Sequence, residues 1–319
     1  MNPTRPAGDA RSVAGSAPPA VHYADMAVAA GDRFWRYPVG LLLAVIWLLA
    51  TTAVLLLLLD PALHRLAESM TPGVAATLVG DLTSVLPLLL SLGTLVPFLA
   101  VVLPWLHRRP FRDLIAPGPR RGIDWGMLGR SALLWVGLAI VDALVRMPLE
   151  AALGTPDTLL PTGIAPLRLA LYAAVLLPVI LLQVAAEELL FRGYLFQGTR
   201  LLLLRPLWAA VPPALLFALG HLGADAQHGM LAYPLFVLLG LFLAAVTVAA
   251  DRIEAAVGIH FAQNTMAILL VGSIAPDKPA LAQTADLTIG WPDLLSLAVV
   301  MAAYFFIGFR LGWVRRTGA

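Results

Sequence analysis

Runs of about twenty apolar residues recur along this chain, and they constrain its fold more than any other feature. A hydrocarbon core about 30 Å thick is crossed by about 20 helical residues, and only helices or closed barrels satisfy their backbone inside it. Eight runs are readable: 38–59, 82–106, 125–146, one starting near Arg168 and continuing past Glu188, 206–223, 232–250, 255–274 and 292–313. Asp60-Pro61 is expected to end the first, and Pro87 and Pro97 interrupt the second. The short alternating segments of a transmembrane barrel do not stand out. Charged residues make up 13% of the sequence, where a soluble domain carries about 25%. The expectation is an all-α, polytopic transmembrane helical bundle of about eight spans, a multi-pass integral protein of the cell membrane.

Arginine placement sets the expected orientation. The connection 107–130 holds Arg108, Arg109, Arg112, Arg120, Arg121 and Arg130, and the fourth-to-fifth turn holds Arg192, Arg200 and Arg205. The flanks add Arg33, Arg36, Arg310, Arg315 and Arg316, while 147–167 and 224–231 hold no Lys or Arg. With eight spans, both termini face the cytoplasm. Trp35, Trp105, Trp125, Trp291 and Trp313 fall at span ends, as an aromatic belt requires. The pI near 9.2 reflects this arginine flanking and does not suggest nucleic acid.

Residues 1–30 are rich in Ala, Pro, Gly and Ser and are expected to form a disordered N-terminal tail. They lack a signal-peptide core and cleavage site, so the first span is expected to stay uncleaved. Residues 31–319 read as one membrane domain without internal repeats. The chain has no cysteine, which excludes disulfides, thiolate metal sites and a cysteine nucleophile.

Three polar clusters interrupt the apolar runs: Glu187-Glu188-Leu-Leu-Phe-Arg192, Phe217-Ala-Leu-Gly-His221 and His260-Phe-Ala-Gln-Asn264. Ionisable groups at such depth cost roughly 2.5–3.5 kcal/mol each on insertion scales, so they are expected to serve chemistry or transport. Glu187 and His221 are equidistant in sequence from residue 204. In an antiparallel hairpin they therefore share a depth, at most about 25 Å from the turn. Glu188 and Arg192 form an i, i+4 pair in the favourable order, and Glu187, turned about 100° away, keeps a free carboxylate. His260 and Asn264 share one helix face. Phe217 sits one turn before His221, placed to pack on its ring. A carboxylate with a histidine can activate a water toward a carbonyl, and a His with an Asn can donate to the resulting oxyanion. The same Glu187, His221 and His260 are also candidates to hold a divalent metal such as zinc, or the site works with none.

The ordered motifs EExxxR, FxxxH and HxxxN, complete at 187–192, 217–221 and 260–264, are similar to the signature of the CAAX-protease and bacteriocin-processing (CPBP, Abi) family of intramembrane proteases. The resemblance covers roughly 168–274 and implies a protease-like core there. It implies an intramembrane endopeptidase that hydrolyses membrane-associated or hydrophobic peptides, with Glu187 as general base, His221 as its partner on the water, and His260 and Asn264 as the oxyanion site. Glu188 and Arg192 support them. The family is called metallopeptidase, and a metal-free glutamate mechanism is also argued for it. The implied partners are the bilayer and a peptide or protein substrate, lipidated in the eukaryotic members. Some bacterial relatives are linked to immunity or scaffolding instead.

The bland readings are an interfacial anchor for Arg192, interhelical hydrogen bonding for His260 and Asn264, and plain packing for Phe217. His22, His64, His107 and His228 read as solvated or interfacial, and Asp142 as a structural partner of Arg146. HExxH, GxSxG and GxGD signatures are missing. A transporter would be expected to show inverted repeats and paired broken helices, which are not found; a catalytically silent binding or immunity protein keeps the same motifs.

Overall fold

The structure is a computed structural model that describes residues 21–117, 122–152, 166–221, 229–271 and 289–313. These residues form helices and no strand. A one-turn helix α1 (Met26–Ala29) precedes α2 (Arg36–Ser69), α3 (Val74–Gly93) and α4 (Leu95–Val102), which runs on as a π-helical turn, Leu103–His107. Then follow α5 (Trp125–Ala152), α6 (Pro166–Glu188), a π-helical segment Leu189–Leu195, α7 (Phe196–Thr199), α8 (Pro206–Leu219), α9 (Ala232–Ala250), α10 (Glu254–Thr265) and α11 (Trp291–Arg310).

Among the described residues, six helical stretches are long and apolar enough to cross a membrane: 36–69, 85–107, 125–149, 169–199, 232–250 and 291–310. Helices stand at all eight expected positions, but two are shorter than spans. α8 has 14 residues, about 21 Å at 1.5 Å per residue. α10 has 12 and continues as the π-helical turn Met266–Val271. The first helix also departs from expectation. Pro61 lies inside it, and it continues to Ser69. One proline forfeits a single backbone bond, and a long helix in a membrane can absorb that.

The helices pack in a chain of neighbours. α2 lies on α3, α3 on α6, α6 on α10, α10 on both α5 and α9, α9 on α8, and α11 on α5. α10 is thus the central element, and small residues bring its backbone close. A Cβ on Gly258 would sit 2.3 Å from the Leu128 carbonyl oxygen of α5. Gly240 of α9 meets Ala214 of α8 in the same way, at 3.0 Å. Without a hydrophobic drive between helices in lipid, such close approach supplies much of the packing.

Residues 21–30, expected as part of the tail, are packed, with Tyr23 and Ala27 fully buried; residues 1–20 lie outside the described residues. The Tyr23 hydroxyl donates to the Leu114 carbonyl at 2.7 Å, and its amide donates to Asp251. Behind this segment lies a buried polar knot. His107 Nδ1 is 2.7 Å from Asp32, and its Nε2 is 2.8 Å from the Tyr194 hydroxyl. Arg109 donates to Tyr37 and Gln197. His107 is therefore buried, at 3% exposure, and the solvated reading is corrected. Its partner lies 75 residues away, outside any local pattern. His22 and His64 are exposed as expected, and His228 lies outside the described residues. Asp142 also differs from expectation: it accepts from Ser296 of α11, while Arg146 reaches Asp293 at 2.7 Å, so both residues staple α5 to α11.

Two outcomes follow from this packing. Gly258→Ala should lower stability by about 1–3 kcal/mol through overpacking against a backbone carbonyl, whereas Gly137→Ala, with nothing within 4 Å, should leave it unchanged; thermal melting in detergent distinguishes them. Burial pushes the Asp32 carboxyl up, but hydrogen bonds from His107, the Arg33 amide and Tyr37 outweigh it and lower it from 3.8 to about 2. Its stabilising contribution is therefore present above about pH 4 and lost as pH falls toward about 2. Asp32→Asn should flatten the acid-side fall in melting temperature across that window.

Candidate active site

The site forms where α6 passes α10, with α8 and α9 closing one side. α6 ends at Glu188, and the next seven residues are π-helical, a local widening often found at functional sites. The widened turn presents Glu187, Glu188 and Arg192 to the interior, at 6%, 0% and 2% exposure. Arg192 Nη1 donates to Glu188 Oε1 at 2.8 Å, and its Nη2 to the Gly240 carbonyl at 3.4 Å. Bonding one charge to another in a dry site offsets part of the desolvation penalty each would otherwise meet.

From α10, His260 enters between the two glutamates. Its Nδ1 is 2.7 Å from Glu188 Oε1, and its Nε2 is 3.5 Å from Glu187 Oε2. Glu188 can only accept, so Nδ1 carries the proton in that bond. Glu187 Oε2 and Glu188 Oε2 are buried and have no hydrogen-bond partner. Glu187 therefore keeps acceptor capacity that no protein donor satisfies.

Phe217 of α8, 1% exposed, is the wall of the site. The Arg192 guanidinium carbon lies 4.5 Å from its ring centre. Its ring meets His260 edge-on at 5.7 Å and lies 4.7 Å from His221. His221 stacks on Phe236 at 4.3 Å, and its Nδ1 is 2.8 Å from the Phe217 carbonyl oxygen. A carbonyl accepts, so Nδ1 is the N–H and Nε2 bears the lone pair. Asn264, one turn past His260, donates from Nδ2 to Gln183 Oε1 at 3.1 Å.

Each expected site residue lies on a helix around this junction except His221, which follows the end of α8 in a turn. Glu187, Glu188, Arg192 and His260 touch directly, and Phe217 stands between that group and His221. Asn264 joins α10 to α6 one turn away. Phe236 and Gln183 also shape the site, although no motif contains them, and Phe191 fills an unspecified position of the first motif. For Gln183 the sequence did carry a signal, since it is a polar residue four positions before Glu187 in an apolar run.

Residues 169–266 match the family described as Type II CAAX prenyl endopeptidase Rce1-like. The matched stretch holds all three polar motifs, within a chain of 319 residues. No curated protein and no solved structure matches the chain. The CAAX-protease match covers α6 to α10, the elements that build the junction.

The metal candidates Glu187, His221 and His260 do not form a ligand set. Among the described residues no three His, Asp or Glu side chains are placed to hold a metal ion.

Removing Arg192 should expose the energetics of this array. Arg192→Met leaves Glu188 buried without its countercharge, and breaking a buried pair in this way costs about 3–5 kcal/mol. The expected outcome is a large fall in melting temperature, whereas Arg205→Met, outside the array, should change it little.

Proposed function

We propose that the protein is an intramembrane endopeptidase that hydrolyses peptide bonds of hydrophobic or membrane-associated substrates through a water activated by Glu187. The observation that carries this reading is the buried, partnerless Oε2 of Glu187 facing His260 in an array already charge-paired around it. The CAAX-protease match supports the reaction class.

The charges favour a specific resting state. Glu187, Glu188 and Arg192 sum to one negative charge in a dry site, and a proton on His260 balances it. His260 then donates from Nδ1 to Glu188 and has a second N–H at Nε2 for the reacting centre. A substrate carbonyl placed near Nε2 of His260 and Nδ2 of Asn264 meets two donors aimed where negative charge develops. Glu187 accepts one proton from the water as its oxygen bonds to the carbonyl carbon, and the carbonyl electron pair moves onto the oxyanion. When the oxyanion collapses, the C–N bond breaks and Glu187 returns its proton to the leaving amine. The products are a carboxylic acid, which keeps the second proton of the water, and an amine. His221 presents its Nε2 lone pair as the second acceptor for the water. Phe217 and Phe236 shield the site, and their apolar surface suits a substrate carrying a lipid or hydrophobic side chains.

The test is cleavage of a peptide panel, farnesylated and unmodified, by protein reconstituted in vesicles. Loss of a general base removes about 10²–10⁴-fold in rate, so Glu187→Gln should fall at least about 100-fold, and His221→Ala should also fall, while both still melt cooperatively. Equal cleavage by these folded variants, or none by the folded wild type, would overturn the reading and favour a binding or immunity role.

A further inference from the structure

Gln183 stands one turn before Glu187 on α6 and is 3% exposed. Across the interface, Asn264 stands one turn after His260 on α10. The two helices therefore meet in consecutive rungs. One is Glu187 with His260 at 3.5 Å, and the next is Gln183 Oε1 with Asn264 Nδ2 at 3.1 Å.

The second rung bears on what Asn264 can do. The terminal torsion of asparagine is broad and roughly two-fold. Half a turn about it would put the carbonyl oxygen where the N–H₂ stands. An acceptor in that place repels a developing oxyanion, and a donor stabilises it. Gln183 Oε1 can only accept, so it holds the Asn264 nitrogen on its side. One of the two N–H bonds of that nitrogen is used in the rung, which leaves the other to donate. Among the described residues, neither side chain has a second hydrogen-bond partner that would hold the amide instead.

We propose that Gln183 is a positioning residue that sets the Asn264 amide with an N–H, rather than its oxygen, toward the reacting carbonyl. The role rests on the oxyanion function assigned above to Asn264. Gln183 acts through Asn264 and need not touch substrate.

The experiment is a double-mutant cycle with Gln183→Met, close in length and shape but unable to accept in this way, in wild-type and Asn264→Ala backgrounds. In the wild type, Gln183→Met should lower kcat about tenfold or more through misplacement of the donor, with KM changed less than about twofold. In the Asn264→Ala background the same substitution should cost less than about twofold, because coupled residues are not additive. Full kcat in Gln183→Met, or multiplicative losses in the double variant, would overturn the positioning role. An experimental structure of folded Gln183→Met gives a readout independent of activity. The Asn264 amide is expected to rotate away from its wild-type setting, and an unchanged amide would sink the proposal alone. Absence of cleavage by the wild type would instead sink the protease reading.

Discussion

The rest of the site depends on the shared oxygen Glu188 Oε1, which accepts from Arg192 at 2.8 Å and faces His260 Nδ1 at 2.7 Å. One carboxylate oxygen thereby fixes a guanidinium from its own helix and an imidazole from α10. The arrangement answers two demands at once. It brings opposite charges together where water is scarce, and it decides which nitrogen of His260 faces Glu187. Glu187, one residue earlier, stands outside the Arg192 bond and keeps Oε2 without a hydrogen-bond partner.

The surrounding packing holds the helices that carry these groups at the required spacing. Gly258 lets α10 approach α5 at backbone distance, and Gly240 does the same between α9 and α8. Tyr194, in the π-helical segment with Arg192, is tied to His107 and through it to Asp32. The knot around Asp32 thus braces the π-helical turn from the end away from His260. Gly40 completes the brace, since a Cβ there would lie 1.9 Å from the Tyr194 hydroxyl oxygen.

The local patterns of the sequence carried the neighbour relations within each helix. EExxxR gave the Glu188–Arg192 pair, and HxxxN gave a His–Asn face on α10. What local pattern could not carry was partnership across helices. His107 sits among arginines and reads as interfacial, yet its partner Asp32 comes from the segment before the first span. Asp142 has Arg146 at the right spacing, yet Ser296 takes its oxygen. Hydropathy likewise located α8 and overestimated it, because the apolar run at 206–223 continues past Leu219, where the α-helix stops. The π-helical widening after Glu188 has no spacing signature.

The shortness of α8 has a chemical consequence. A helix of 14 residues is about 21 Å long and stops short of a hydrocarbon core about 30 Å thick. In lipid its final carbonyls need donors from the protein, and the Gly220 and His221 amides supply those of Leu216 and Ala218. His221 covers one of them, the Phe217 oxygen, with its own ring N–H. Chain ends within a bilayer persist only beside protein or a water-filled cavity. The early stop that makes α8 a poor span thus hands the capping of its last turn to the two residues that follow it, Gly220 and His221.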